Sequence, residues 1–205
     1  VRQSLWIALI LGIIAMLILQ AAPLLLPLFG VPDSLLPKAS LFLHAIAFGM
    51  PAVTMYSALR NYSEALGFPR PVTALSLGAL VALIPLNFIF MYGLGPIPHL
   101  GSAGCGFATA ILQWLMLIIL AIYVFKAKRY QKTQPLTHWE KMNPVLIKRI
   151  LKLGLPIGLA IFFEVSIFST GAIVLSTLGE VTIAAHQIAI SVTSQLFMIP
   201  MSLAL

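Results

Sequence analysis

Acidic side chains are few in this sequence. Asp33, Glu64, Glu140, Glu164 and Glu180 are all there are, and charged residues of both signs make up 8% of the chain. Soluble domains carry roughly a quarter, so the deficit argues against a soluble globular fold. Hydrophobic residues reach 60%, more than a chain of this length can bury, whereas a bilayer accepts apolar surface on the outside of the molecule. Cysteine is nearly absent as well. The single Cys105 excludes an internal disulfide framework and supplies no metal set; between Gly104 and Gly106 it reads as a small packing residue. Catalytic signatures are also missing, with no HExxH, no GxSxG and no P-loop, and the glycines at 101, 104 and 106 follow no strand. Neither an enzyme nor a cofactor is expected. The net charge of +7 would suit nucleic acid, but the bases stand at the ends of apolar segments, where they report topology. The expected partner is the lipid bilayer, not nucleic acid.

What is present is a succession of uncharged runs. Gln3 to Pro32 holds one span of about 20 residues with an exit around Pro23 and Pro27. A connector at Phe29–Ser34 leads to a second span, Ala39–Leu59, kinked at Gly49 and Pro51. Arg60–Arg70 reads as a short polar loop turning on Gly67 and Pro69. Pro71 to Phe125 is uncharged and long enough for two spans, Val72–Met91 and Ser102–Phe125, broken by the glycines and prolines of Tyr92–Gly106. Lys126–Lys152 is the long basic, polar segment, and spans five (Arg149–Leu178) and six (from Thr182 onward) follow it. The chain begins at Val1 without an initiator methionine and stops at Leu205 inside an apolar run, so an internal piece of a longer protein is expected.

Alternation of six spans tests itself against the bases. Every Lys and Arg except Lys38 falls on the side that holds Arg2, the Arg60–Arg70 loop and the basic linker. The positive-inside rule places that side, and the linker, in the cytoplasm.

Glu164 is the one carboxylate inside a span. No other charged side chain lies between Lys152 and Glu180, so Glu164 stands about 16 residues, roughly 24 Å, from the far end. A carboxylate at that depth is neutral or is compensated by a cation, and no span interior holds a Lys or Arg for it. The functional reading is a site at which a proton, a sodium ion or a cationic substrate balances the charge. The structural reading is a protonated Glu bonded to nearby backbone. In span six Gln187, Ser191, Ser194 and Gln195, with His186 beside them, share a helix face. Such a face either packs against another helix or lines an aqueous cavity, and Asn87, just after Pro85, has the same two readings. Gln113 and His44 are expected to pack or lie near an interface. Gly154 and Gly158 spell GxxxG around Pro156, a weak sign of close helix packing.

Several motifs, in order, resemble one family. They are Arg60-Asn61-Tyr62-Ser63-Glu64-Ala65-Leu66-Gly67 before Pro69-Arg70-Pro71, Pro85-Leu86-Asn87-Phe88-Ile89-Phe90, and Gly101-Ser102-Ala103-Gly104-Cys105-Gly106 with Trp114. Gly154-Leu155-Pro156, Phe162-Phe163-Glu164, Leu178-Gly179, Ala184-Ala185-His186-Gln187-Ile188-Ala189 and Pro200-Met201-Ser202 complete the set. The pattern is similar to the multidrug and toxic compound extrusion (MATE) transporters, in their bacterial NorM-type branch.

The resemblance implies an all-α polytopic membrane protein, with six transmembrane helices of a twelve-helix, two-lobe fold. Residues 1–125 would belong to the N-terminal lobe (family helices three to six), 126–148 to the inter-lobe linker, and 149–205 to the start of the C-terminal lobe (helices seven and eight). It further implies secondary active efflux of organic cations or drugs in exchange for sodium ions or protons, in a bacterial inner membrane, by a protein expected to be monomeric at full length. Glu164 matches the acid of the seventh helix that couples cations and would be the sodium ligand if sodium is used. Asn87 matches a polar residue of the first-lobe cavity, but Leu83 stands where the family often has a second asparagine, which puts a first-lobe cation site in doubt. Gln187, Ser191, Ser194 and Phe163 are the other cavity candidates. The acidic partners expected in helices one and ten fall outside this chain. Two other readings compete. A lipid-linked oligosaccharide flippase of the same superfamily would show cationic residues inside its spans, which are lacking here. In a non-transporting membrane subunit Glu164 would be only a structural hydrogen-bonding group.

Overall fold

The computed structural model describes residues 2–24, 36–93, 101–127, 130, 143–176 and 180–204. These residues form helices and short turns, in two compact units, Val1–Ile147 and Lys148–Leu205. Among the described residues, five helices are long and apolar enough to cross a membrane, and a sixth is of similar length.

In the first unit α1 (Arg2–Ala21) ends in a single 3-10 turn, Ala22–Leu24. Helix α2 (Leu36–Ala65) lies between α1 and α4 (Ser102–Lys126), and α4 carries α3 (Pro69–Tyr92). Lipid-like surroundings give helices no hydrophobic reason to associate with one another, so close packing must do it, and small residues permit that. Gly12 of α1 lies where a Cβ would press on the Thr54 hydroxyl and come 2.7 Å from Pro51 Cα. The α1 helix thus seats on α2 at its internal proline. There Thr54 Oγ1 donates to the carbonyls of Met50 (3.2 Å) and Pro51 (3.1 Å). Between α2 and α4, Gly49 faces Ala110 and Gly106 faces the Phe42 carbonyl, while Trp114 Nε1–H donates to the Phe48 carbonyl at 3.1 Å. Further along α4 the side chains grow, and Leu112, Met116, Leu120 and Val124 fill a core with Tyr56, Leu59, Tyr62 and Val72. The outer faces, including Ile14, Ile18, Val81, Ile84, Ile118 and Ile119, are exposed, as a bilayer requires.

The polar loop expected at Arg60–Arg70 is shorter than its composition suggests. Helix α2 runs to Ala65, with Arg60 Nε donating to Glu64 Oε1 at 2.8 Å across one turn. It stops where Gly67 takes φ +76°, with Gly67 N–H bonding to Glu64 O and Phe68 N–H to Ser63 O, both at 2.9 Å. This is the Schellman arrangement, which needs a left-handed residue and so a glycine. Pro69 then opens α3 at the position where a missing N–H is harmless.

Helix α5 (Pro144–Ser176) starts before the expected Arg149. Asn143 Oδ1 accepts from the N–H groups of Val145 (3.1 Å) and Leu146 (3.5 Å), an N-cap followed by proline at the first helical position. Its own backbone N–H donates to Oε1 of the buried Gln3 at 3.0 Å. Asn143→Ala is expected to cost about 1 kcal/mol, read as a lower denaturation midpoint of the full-length protein. At the other end of the basic segment Tyr130 is buried among Tyr62, Phe68 and Tyr123, with ring centroids 5.8–6.2 Å apart. Residues 128–129 and 131–142 of the expected linker lie outside the described residues, as do the connector 29–34, Pro96 and Pro98, and the Leu178–Gly179 motif.

The second unit contains most of α5, with Pro156 inside it, and α6 (Glu180–Ala204). Among the described residues the GxxxG pair makes no close approach: a Cβ on Gly154 or Gly158 would meet no atom within 4 Å.

Candidate functional site

Glu164 sits on α5 two turns beyond Pro156, exposed, with no hydrogen bond or ion pair among the described residues. Two residues on, Ser166 Oγ donates to the Phe162 carbonyl at 2.6 Å. Phe162 and Phe163, the residues just before Glu164, are exposed and meet edge to face at 5.9 Å. No group of three His, Cys, Asp or Glu side chains that could hold a metal ion occurs among the described residues. The carboxylate therefore brings one anionic ligand and no preformed cage.

On α6, Gln187, Ser191, Ser194 and Gln195 are exposed, and His186 is half-buried. His186 Nε2 is buried and, among the described residues, has no hydrogen-bond partner. The sequence marked His186 only as a neighbour of that polar face; nothing in the spacing reveals its orphaned nitrogen. In the first unit Asn87 of α3 is half-buried, and its Oδ1 is likewise buried without a partner among the described residues. Leu83, one turn before, packs against the first unit's hydrophobic core. A groove of about 520 Å³ between α1 and α2 is lined by Ser4, Thr54, Ser57 and Asn61 with apolar neighbours, and it contains none of the candidate site residues. Gln3 and Asn143 were not anticipated as a pair; Asn before Pro at a helix start was the available signal.

Among the described residues the candidates are a lone carboxylate on a long apolar helix and buried polar atoms without partners on other helices. The MatE family model matches residues 1–89. The "Probable multidrug resistance protein NorM" of Acinetobacter baylyi is 77% identical over the whole chain. The chain belongs to the MATE family. A second relative, the "Multidrug resistance protein NorM" of Aliivibrio fischeri, is 39% identical over 100% of the chain. A solved chain described as "protein C" superimposes with a TM-score of 0.75 at 34% identity, covering 97% of this chain and 44% of that one. This MATE chain spans 46% and 44% of the length of the two NorM relatives. With its several apolar helices, it is part of a multi-pass bacterial membrane protein.

Proposed function

We propose that the full-length protein is a secondary active multidrug efflux transporter that exports organic cations in exchange for sodium ions or protons. The observation that carries this reading is Glu164, an unpaired carboxylate deep in a span whose nearest charged residues in sequence are Lys152 and Glu180. A single carboxylate in low dielectric favours one compensating cation at a time. A coupling ion and a cationic drug then compete for it, and exchange follows if the loaded and unloaded forms prefer opposite-facing states. The names of the NorM relatives support a drug substrate. Asn87, Gln187, Ser191, Ser194 and Phe163 are the residues proposed to line the path. The basic segment lies in the cytoplasm, the protein in the inner membrane, and the full-length transporter works as a monomer.

The test is efflux itself. Full-length protein in proteoliposomes should expel ethidium or norfloxacin when an inward sodium or proton gradient is imposed and stop when the gradient is collapsed. Absence of gradient-driven efflux for every cation tried would count against the assignment.

A further inference from the structure

The bases at the start of α5 serve no partner within the described protein. Lys148, Arg149 and Lys152 are exposed and form no ion pair or hydrogen bond among the described residues. Arg60, at the end of its own span, is by contrast paired to Glu64 at 2.8 Å. The three lie within an arc of about 100° at 3.6 residues per turn, so they repel one another. The first turn of α5 contains no acid to relieve them. Topology alone requires bases near this end of the span, but not three clustered on one face with no acid among them. Beside this arc Leu146, Ile150, Leu151 and Leu153 are exposed. Ammonium and guanidinium groups on one face with leucines and isoleucines on the rest match the boundary between headgroups and acyl chains.

We propose that the first turns of α5 bind an anionic phospholipid on the linker side of the bilayer, its phosphate held by Lys148, Arg149 and Lys152 and its acyl chains lying along Ile150, Leu151 and Leu153. The occupant follows from charge complementarity and from the apolar collar: a soluble phosphate would answer the charges but leave the collar unused. The site rests on α5 crossing a bilayer and is independent of the transport reading.

The full-length protein in nanodiscs of phosphatidylcholine containing a minor fraction of spin-labelled phosphatidylglycerol provides the test. The motionally restricted fraction of the label reports preference for the anionic lipid over labelled phosphatidylcholine. Wild type should show a preference that falls as salt is raised. It should drop about fivefold for each charge removed in the series ending at Lys148→Gln/Arg149→Gln/Lys152→Gln. The exchanged variant Lys148→Arg/Arg149→Lys/Lys152→Arg should keep it. Equal preference in the neutral and exchanged variants, or no salt dependence in wild type, would overturn the site. Displacement of the label by inorganic phosphate alone would also overturn it, showing a phosphate site in place of a lipid site.

Discussion

Glu164→Gln should abolish ion-driven efflux in the full-length transporter while leaving it folded and inserted. The substitution keeps shape and hydrogen-bonding capacity but removes the proton and the charge, so neither a proton nor a sodium ion can be exchanged for drug there. Gradient-driven efflux should therefore fall to the level seen with the gradient collapsed. Stability should not fall with it: the amide matches the carboxyl in size and carries no charge to desolvate, so the melting temperature in detergent should hold. Efflux in proteoliposomes, with and without the gradient, measures the first effect. Unchanged gradient-driven efflux in the variant would remove Glu164 from the mechanism.

Gly104→Ala is the largest structural effect expected. An added Cβ would overlap the Phe90 carbonyl oxygen, sit 2.5 Å from its carbon and reach to 2.9 Å from Met91 N. All three atoms are backbone, so no rotamer change relieves the clash and α3 and α4 must move apart. Overpacking a tight interior typically costs about 1–3 kcal/mol, and a collision with main chain lies at the upper end. The matched control is Gly78→Ala on α3, where a Cβ meets nothing within 4 Å and helix propensity alone predicts a gain of up to about 1 kcal/mol. Membrane accumulation and thermal midpoint, compared between the two variants, check the pair. Equal behaviour would show that the helices are not held at Gly104.

Charge spacing made the helices legible, because a span tolerates almost none. Lys126 thus marked the end near Phe125, while the glycines and prolines of Tyr92–Gly106 marked the start at Ser102, both to within a residue. Boundaries set by local hydrogen bonding were less visible. Arg60–Ala65 looked like loop by polarity, yet the i, i+4 pair of Arg60 and Glu64 lets a helix carry polar residues past the membrane edge. The early start of α5 depended on reading Asn143–Pro144 as cap and first residue. Among the candidate site residues, Glu164 declared itself by being the one charge in its run. The buried, unpartnered atoms of Asn87 and His186 did not, since whether a polar atom is covered depends on neighbours that periodicity does not name. Leu83 likewise became intelligible only through the core it packs on.

The bond from Asn143 to Gln3 and the aromatic nest around Tyr130 have a common implication. Both ends of the stretch 131–142 are fastened within the first unit. The point from which α5 departs is therefore fixed by a glutamine on α1, and not by the reach of a tether. Lengthening a closed loop costs only about 0.6 kcal/mol per doubling, so residues added there would leave the Asn143 start of α5 where Gln3 holds it.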